Sequence, residues 1–321
     1  MPLNIALFGT GRIANNALAP ALSIQSDARL WSVLSRDESR AEDFAARHGA
    51  HSPTPGYADL DALLADPMLD AVIIASPDKL HVPQALAAIA AGKHVLTEKP
   101  MATGKDEALT LVEASRNANL RLGVAYHMRW HDGHRQLASM AHAGKFGDLR
   151  HMRVQWAGKQ PDDSTWRARE DVGKWWALAG MGTHCVDQAS WIMGPSCGEI
   201  IDVHCVINNS VWNSPHDETA VVALRFENGS TVEICVSVLF DGPKMLEIYG
   251  SDGYAICTET LGAEGAGDIV TNQGKLPFTV TNPFAGEIAD FAAAIREGRD
   301  PEVSGEEGAR NVDILLAAIG E

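Results

Sequence analysis

The strongest constraint on this chain is its opening. Asn4–Gly9 is a short apolar run ending in glycine, and it leads into Gly9-Thr10-Gly11-Arg12-Ile13-Ala14. The run reads as a buried strand, and Arg12–Ala21 as the helix that follows. A strand, a Gly-x-Gly-x-x-Ala turn and a helix form the fingerprint of a dinucleotide-binding unit. Gly9 permits the tight turn out of the strand. Gly11 has no side chain, so a pyrophosphate can approach the backbone. Ala14 is small enough for close helix–strand packing, and the helix N-terminus faces the anion. Thr10, Arg12 and Ile13 complete the turn as candidate cofactor contacts. Such a turn alone is common, and its weight comes from the repeated strand–helix pattern around it.

That pattern continues for about 120 residues. Leu30–Ser35, Asp70–Ser76, His94–Glu98 and Arg121–Tyr126 read as strands. Glu38–His48, Leu60–Ala65, Val82–Ala91 and Thr103–Asn117 read as the helices between them, with Thr103 and Asp106 spaced as a capping box. Strands separated by helices imply right-handed crossovers and a parallel sheet covered on both faces. The texture then changes. A helix near His134–Ala143, a strand at Leu149–Trp156 and a helix at Thr183–Met193 precede strand-like runs at Ile200–Ile207, Glu218–Phe226, Thr231–Phe240 and Met245–Tyr249. Asn228-Gly229 between two of them signals a type I′ hairpin. Helices are expected at Phe284–Glu297 and Asn311–Ile319. The fold class is therefore an α/β dinucleotide-binding domain over 1–122, followed by an α+β domain over 123–321 with a largely antiparallel open sheet. The last helices are expected to pack back on the first domain.

At 321 residues the chain is too long for one ordinary core and suits two domains. Its formal net charge of −16 argues against nucleic-acid and anionic-membrane partners, which need clustered Lys and Arg. Five scattered cysteines without a Cys-x-x-Cys pair suggest a reducing compartment rather than a disulfide framework. With no signal-peptide pattern and no long apolar run, the expected location is the cytoplasm.

The end of the second strand bears on the choice of cofactor. An Asp or Glu there would bond the ribose hydroxyls of NAD. This chain has Ser35-Arg36, with Asp37 just beyond. A hydroxyl and a guanidinium suit the 2′-phosphate of NADP, so NADP(H) is favoured and NAD(H) remains possible.

Several stretches resemble the glucose–fructose oxidoreductase / inositol dehydrogenase / MocA (Gfo/Idh/MocA) family. They are the N-terminal turn, DAVIIASPDKLHVPQALAAIAAGKHVLTEKPMA at 70–102, MGTHCVDQASWIMG at 181–194, LEIYGSDG at 246–253 and FAGEIADFAAAIREGRDPEVSGEEG at 284–308. The resemblance covers nearly the whole chain. It implies a Rossmann domain and a second domain whose open sheet often packs on another subunit, hence a homodimer or homotetramer. It also implies NAD(P)-dependent interconversion of a secondary alcohol and a ketone on a sugar, cyclitol or related diol, without a metal.

Glu98-Lys99-Pro100 corresponds to the family's Glu-Lys-Pro motif. In isolation a Lys after a strand is a solvated charge; the resemblance makes Lys99 the group that holds the substrate oxygen, and Glu98 a residue that contacts the cofactor or positions Lys99. His184 matches the histidine that shuttles the alcohol proton, and an imidazole suits that task. Asp187, three residues on, is expected to orient it or to cap local structure. The resemblance adds Ser76, Pro77 and His81 beyond the third strand, and Trp166-Arg167, as cofactor contacts. Arg129 is expected to face the substrate pocket.

One departure matters. Many catalytic members carry an Asp four residues before this histidine, and here that residue is Gly180. Either His184 works without it, or a carboxylate such as Glu170 or Asp171 substitutes, or activity is altered or lost. A non-catalytic dinucleotide-binding sensor is the alternative reading, against which the retention of Lys99 and His184 weighs. His127, His131 and His134 have the i, i+4, i+7 spacing of a metal face. Asp132-Gly133 is expected to interrupt a helix there, so no metal is assigned.

Overall fold

Apolar, β-branched runs build the first sheet. Its strands are β1 (Leu3–Phe8), β2 (Ala28–Leu34), β3 (Gly56–Tyr57), β4 (Ala71–Ile74), β5 (His94–Glu98) and β6 (Leu122–Ala125). All pair in parallel, in the order β3-β2-β1-β4-β5-β6. The strand order reverses between β1 and β4, and ligands of doubly wound sheets bind at that switch point, beyond the carboxyl ends of the strands. The turns after β1 and after β4 flank it. The structure is a computed structural model and describes residues 1–169 and 171–321.

Between the strands run α1 (Ala19–Ser23), α2 (Glu38–Arg47), α3 (Leu60–Leu64), α4 (His81–Ala90) and α5 (Lys105–Asn117). A π-helical turn at Ala14–Leu18 leads from the glycine turn into α1. The expected capping box does not form. α5 starts at Gly104 without a side-chain cap, and the Thr103 hydroxyl donates to the Glu107 carboxylate at 3.2 Å.

The chain forms two compact units: Met1–Tyr126 with Phe284–Val312, and His127–Pro283 with Asp313–Glu321. In the first, Phe284, Ile288 and Phe291 of α8 (Pro283–Glu297) join the core of Leu18, Leu22 and Phe44. The exposed edge of the parallel sheet is also covered. The Val124 amide donates to the Val303 carbonyl at 3.1 Å, just ahead of α9 (Gly305–Ala318). An unpaired strand edge is an association hazard, and this contact removes part of it.

The second unit has α6 (Asp132–His142), β7 (Leu149–Ala157), α7 (Thr183–Cys197), β8 (Ile200–Asn208), β9 (Thr219–Phe226), β10 (Thr231–Ser237), β11 (Met245–Gly250), β12 (Tyr254–Thr258), β13 (Asp268–Thr271) and β14 (Gly274–Lys275). The eight strands form one sheet in the order β14-β13-β12-β11-β7-β10-β9-β8, antiparallel except for β7 with β10. The β9–β10 hairpin forms, but not as type I′. Asn228 is absent from the positive-φ residues, while Gly229 takes φ +90° and its amide bonds the Phe226 carbonyl at 2.9 Å. This is a three-residue loop with glycine in the left-handed position.

α6 also departs from expectation. Asp132-Gly133 does not interrupt it but begins it, with His131 as N-cap accepting from the His134 amide. A Cβ on Gly133 would lie 2.7 Å from Ile269 and 2.8 Å from Phe278, so this glycine serves close packing. Among the described residues no helix is long and apolar enough to cross a membrane.

Candidate active site

In the first unit the phosphate turn has the geometry its glycines allow. Gly9 takes φ +99°, and a Cβ there would lie 2.6 Å from the Ala75 carbonyl oxygen at the end of β4. That approach ties the turn to the neighbouring strand. A Cβ on Gly11 would meet nothing within 4 Å, so the backbone there faces open space, as a pyrophosphate requires. Arg12 is exposed and Ile13 half-buried.

At the end of β2, Ser35 is buried and its hydroxyl lies 3.4 Å from that of Thr10. Arg36 is exposed. The nearby Asp37 is the N-cap of α2, accepting from the Arg40 amide at 3.1 Å and the Ser39 hydroxyl at 2.8 Å. The Arg40 amide and then the Ser39 hydroxyl hold its carboxyl below the usual range. A cleft of about 400 Å³ opens here, lined by Thr10, Ser39, Arg40 and Arg47 together with Asp37, Asp43 and Phe44. Arg40 escaped the sequence reading. Its signal was a second guanidinium four residues after Arg36, in the first turn of a helix.

Beyond β5 the motif segment is buried, whereas Ala75, Ser76 and Pro77 beyond β4 are half-buried. The Ser76 hydroxyl donates to Gln84 of α4 at 2.7 Å, and Pro77 precedes the short 3-10 turn Asp78–Leu80. Glu98 and Lys99 are buried; the Lys99 amide lies 3.3 Å from a Glu98 carboxylate oxygen. The Lys99–Pro100 peptide is cis. His81 differs from its expected role as a cofactor contact. Its Nδ1 lies 2.8 Å from the Pro100 carbonyl oxygen and its Nε2 2.9 Å from that of Ser76. Only 1% of the residue is exposed, so its polar edge is turned into the protein.

In the second unit, α7 follows a π-helical turn at Leu178–Gly182 and carries the buried His184 in its first turn. The His127 ring meets His184 edge-on, with centroids 4.9 Å apart at 78°, and the Trp156 ring lies 5.7 Å away. Asp187 receives the Arg129 guanidinium: Nη2 donates at 2.7 Å and Nε reaches both carboxylate oxygens at 3.1 Å. Both side chains are buried. The Arg129 guanidinium, expected to face the substrate pocket, ties the 3-10 turn His127–Trp130 to α7. It also gives Asp187 a charged partner other than His184.

A Cβ on Gly180 would meet nothing within 4 Å, so the position has room for the side chain it lacks. Of the two suggested replacement carboxylates, Glu170 lies outside the described residues. Asp171 is exposed and forms a two-point pair with Arg169 at 2.9 and 3.1 Å. The carboxylate that does shape this region is Asp217, which the sequence reading passed over. It is buried and accepts from the Trp176 and Leu178 amides at 2.8 and 2.6 Å, bracing the segment just ahead of α7. Burial pushes its carboxyl up to about 7 against the opposing effect of those amides.

The other expected contacts occupy the same unit. Trp166 and Arg167 lie on the 3-10 turn Trp166–Ala168, the guanidinium 4.3 Å from its neighbour's ring centroid. The three histidines take separate partners. His127 and His131 face the Gly262 and Ala266 carbonyls, and His134 faces the Thr260 hydroxyl. Burial lowers the His131 pKa and drives that of His134 well below the usual value.

Comparison with known proteins agrees with this geometry. Residues 3–126 match the family model for an oxidoreductase family with an NAD-binding Rossmann fold, and residues 134–256 match the GFO/IDH/MocA C-terminal domain. The chain is similar to 1,5-anhydro-D-fructose reductase of Ensifer adhaerens, at 24% identity over 98% of this chain and 94% of that one. It is similar to myo-inositol 2-dehydrogenase of Thermotoga maritima, at 24% identity over 95% and 92%. Its fold matches the crystal structure of aldose-aldose oxidoreductase from Caulobacter crescentus with a TM-score of 0.92, at 20% identity over 99% and 96% of the two chains. A parallel sheet opened by a glycine turn, an antiparallel second sheet and two matching domain models lead to one conclusion: the chain belongs to the Gfo/Idh/MocA family of oxidoreductases.

Proposed function

We propose that this chain is an NADP(H)-preferring oxidoreductase that interconverts a secondary alcohol and a ketone on a sugar, cyclitol or related diol. The observation that carries this reading is the buried Glu98-Lys99-Pro100 segment at the carboxyl end of β5, in the sheet whose first turn is the glycine cradle. A bound nicotinamide ring supplies or accepts the hydride. The cradle at Gly9–Ile13 holds the pyrophosphate on backbone amides. Lys99 donates a hydrogen bond to the substrate oxygen and stabilises its alkoxide character. His184 takes the proton from the alcohol during oxidation and returns it during reduction. Glu98 accepts from the Lys99 amide and sets that residue's backbone.

The preference for NADP(H) rests on chemistry at the end of β2. The hydroxyls of Thr10 and Ser35 and the guanidinium groups of Arg36 and Arg40 suit a 2′-phosphate. Asp37, the carboxylate that would otherwise suit a ribose diol, is engaged in capping α2. Trp166 and Arg167 belong to the cofactor-binding set in this reading.

The protein acts as a homo-oligomer through the outer face of its eight-stranded sheet. Val206 and Val221 are 74% and 42% exposed on that sheet, and Arg153 stands between Glu233 and Glu247 at 3.6 and 3.7 Å. Alternating charge with apolar residues suits a two-fold contact with a second copy.

The test is a panel of sugars, cyclitols and diols, and their ketones, with NAD(H) and NADP(H), following reduced nicotinamide by absorbance. Turnover with at least one pair, at a lower KM for NADP(H), is the expected result. Tight cofactor binding without turnover on any substrate overturns the reading.

A further inference from the structure

We infer that His81 is a positioning residue that holds Lys99 in place by clamping together the loops that leave β4 and β5. The inference rests on the role proposed for Lys99.

The clamp is built from the first turn of α4. His81 opens that helix, and its imidazole lies between two backbone carbonyls. One belongs to Ser76, just beyond β4; the other belongs to Pro100, the residue after Lys99. Both distances, 2.9 and 2.8 Å, are those of good hydrogen bonds. Carbonyl oxygens only accept. A doubly protonated imidazole donates to both, whereas a neutral ring donates to one and turns a lone pair to the other. Gln84, three residues on and on the same face of α4, takes the Ser76 hydroxyl at 2.7 Å. With both ring N–H groups donating, one helical turn holds the β4 loop by two groups and the β5 loop by one.

Lys99 sits inside this arrangement. Its own amide lies on the Glu98 carboxylate, and the carbonyl of the next residue lies on His81. The backbone that aims its ammonium group is thus fixed on both sides. The gain from a catalytic donor depends on sub-ångström placement, so a group that sets this backbone acts on turnover without touching the substrate. The near-complete burial of the ring fits this role, since no polar edge is left to meet a cofactor.

The test compares His81→Phe, His81→Asn and Lys99→Met, singly and with His81→Phe and Lys99→Met combined, in the full-length protein. Two readouts are taken: amide hydrogen exchange across 76–80 and 99–103, and kcat together with the NADP(H) dissociation constant. His81→Phe is expected to speed exchange in both loops at least about tenfold, with the other strands unchanged. It should lower kcat about tenfold while leaving the dissociation constant within about twofold. His81→Asn keeps one donor and should fall between Phe and wild type, which serves if the Phe variant fails to fold. The combined variant should be no slower than Lys99→Met alone, because removing the positioner of an absent group costs nothing more. Wild-type exchange in both loops, or losses that multiply in the combined variant, overturns the inference. If wild type turns over no substrate, the functional reading fails, while the exchange data still decide whether the clamp exists.

Discussion

The two sheets expose their faces differently. Every residue of β4 and β6 is buried, as is all of β1 after its first residue and all of β5 after its first. β9 alternates strictly, with Ala220, Val222, Leu224 and Phe226 inward and Val221, Ala223 and Arg225 outward. A sheet covered on both faces presents polar chemistry only at its strand ends, and the Gly9 turn, Ser76 and Lys99 all lie there. A sheet with one open face has a second surface to give away. In the second unit the buried polar groups Asp187 and His184 sit on α7, and the outer strand face stays exposed.

The largest expected effect concerns the buried charges of the second unit. Arg129→Leu leaves the Asp187 carboxylate buried without its guanidinium, and denaturant unfolding should show a loss of about 3–5 kcal/mol. A loss below about 1 kcal/mol would make the pair equivalent to a surface one and blur the contrast between the units.

Asp217 gives the next effect. Its folded pKa, about 7, stands above the ordinary 3.8, so the folded state binds more protons than the unfolded state between those values. Stability should therefore fall as pH rises from about 4 to about 7 and then level off, by a total of roughly 4 kcal/mol. Asp217→Asn should flatten this slope; an unchanged slope in the variant would assign it to other groups.

Activity follows. Lys99→Met should reduce kcat at least about tenfold, with NADP binding measured by fluorescence nearly unchanged. Turnover near wild type would remove the strand-end site from the contrast. Arg36→Ala should raise KM for NADP about tenfold and KM for NAD little, as loss of one charge-assisted phosphate contact predicts. Equal effects on both cofactors would sink the preference.

The smallest expected effect is at Gly180. Open space at its Cβ lets Gly180→Asp fold with a change in thermal stability equivalent to about 0.5 kcal/mol or less. A large destabilisation would show that the site had closed around the glycine.

Local pattern carried much of this fold. The alternation of apolar strands and helices was enough for the parallel sheet, because continuous burial leaves an uninterrupted apolar signal in strands such as Ala71–Ile74. β12, β13 and β14 were not legible. They span only five, four and two residues and are set off by Gly250, Gly253, Gly262, Gly265, Gly267 and Gly274, where a loop reads equally well. Asp132-Gly133 looked like a helix breaker. The chain uses His131 as a cap and Gly133 as a contact point for Ile269 and Phe278, more than 130 positions away.

Candidate residues divide in the same way. Gly9, Gly11, Lys99 and His184 stood out in the sequence because their residue types lie beside a strand end or a helix start. What the side chains of His81, Arg129 and Asp217 do was not readable. Their partners are Ser76 and Pro100, Asp187, and the Trp176 and Leu178 amides, at separations of up to 58 positions. A hydrogen-bond partner is chosen by position in space, and burial decides how much that choice is worth. By itself, then, the sequence determined the parallel sheet, the glycine cradle and the family. Only the tertiary structure decided which polar groups, like His81 and Arg129, are engaged in holding the fold together.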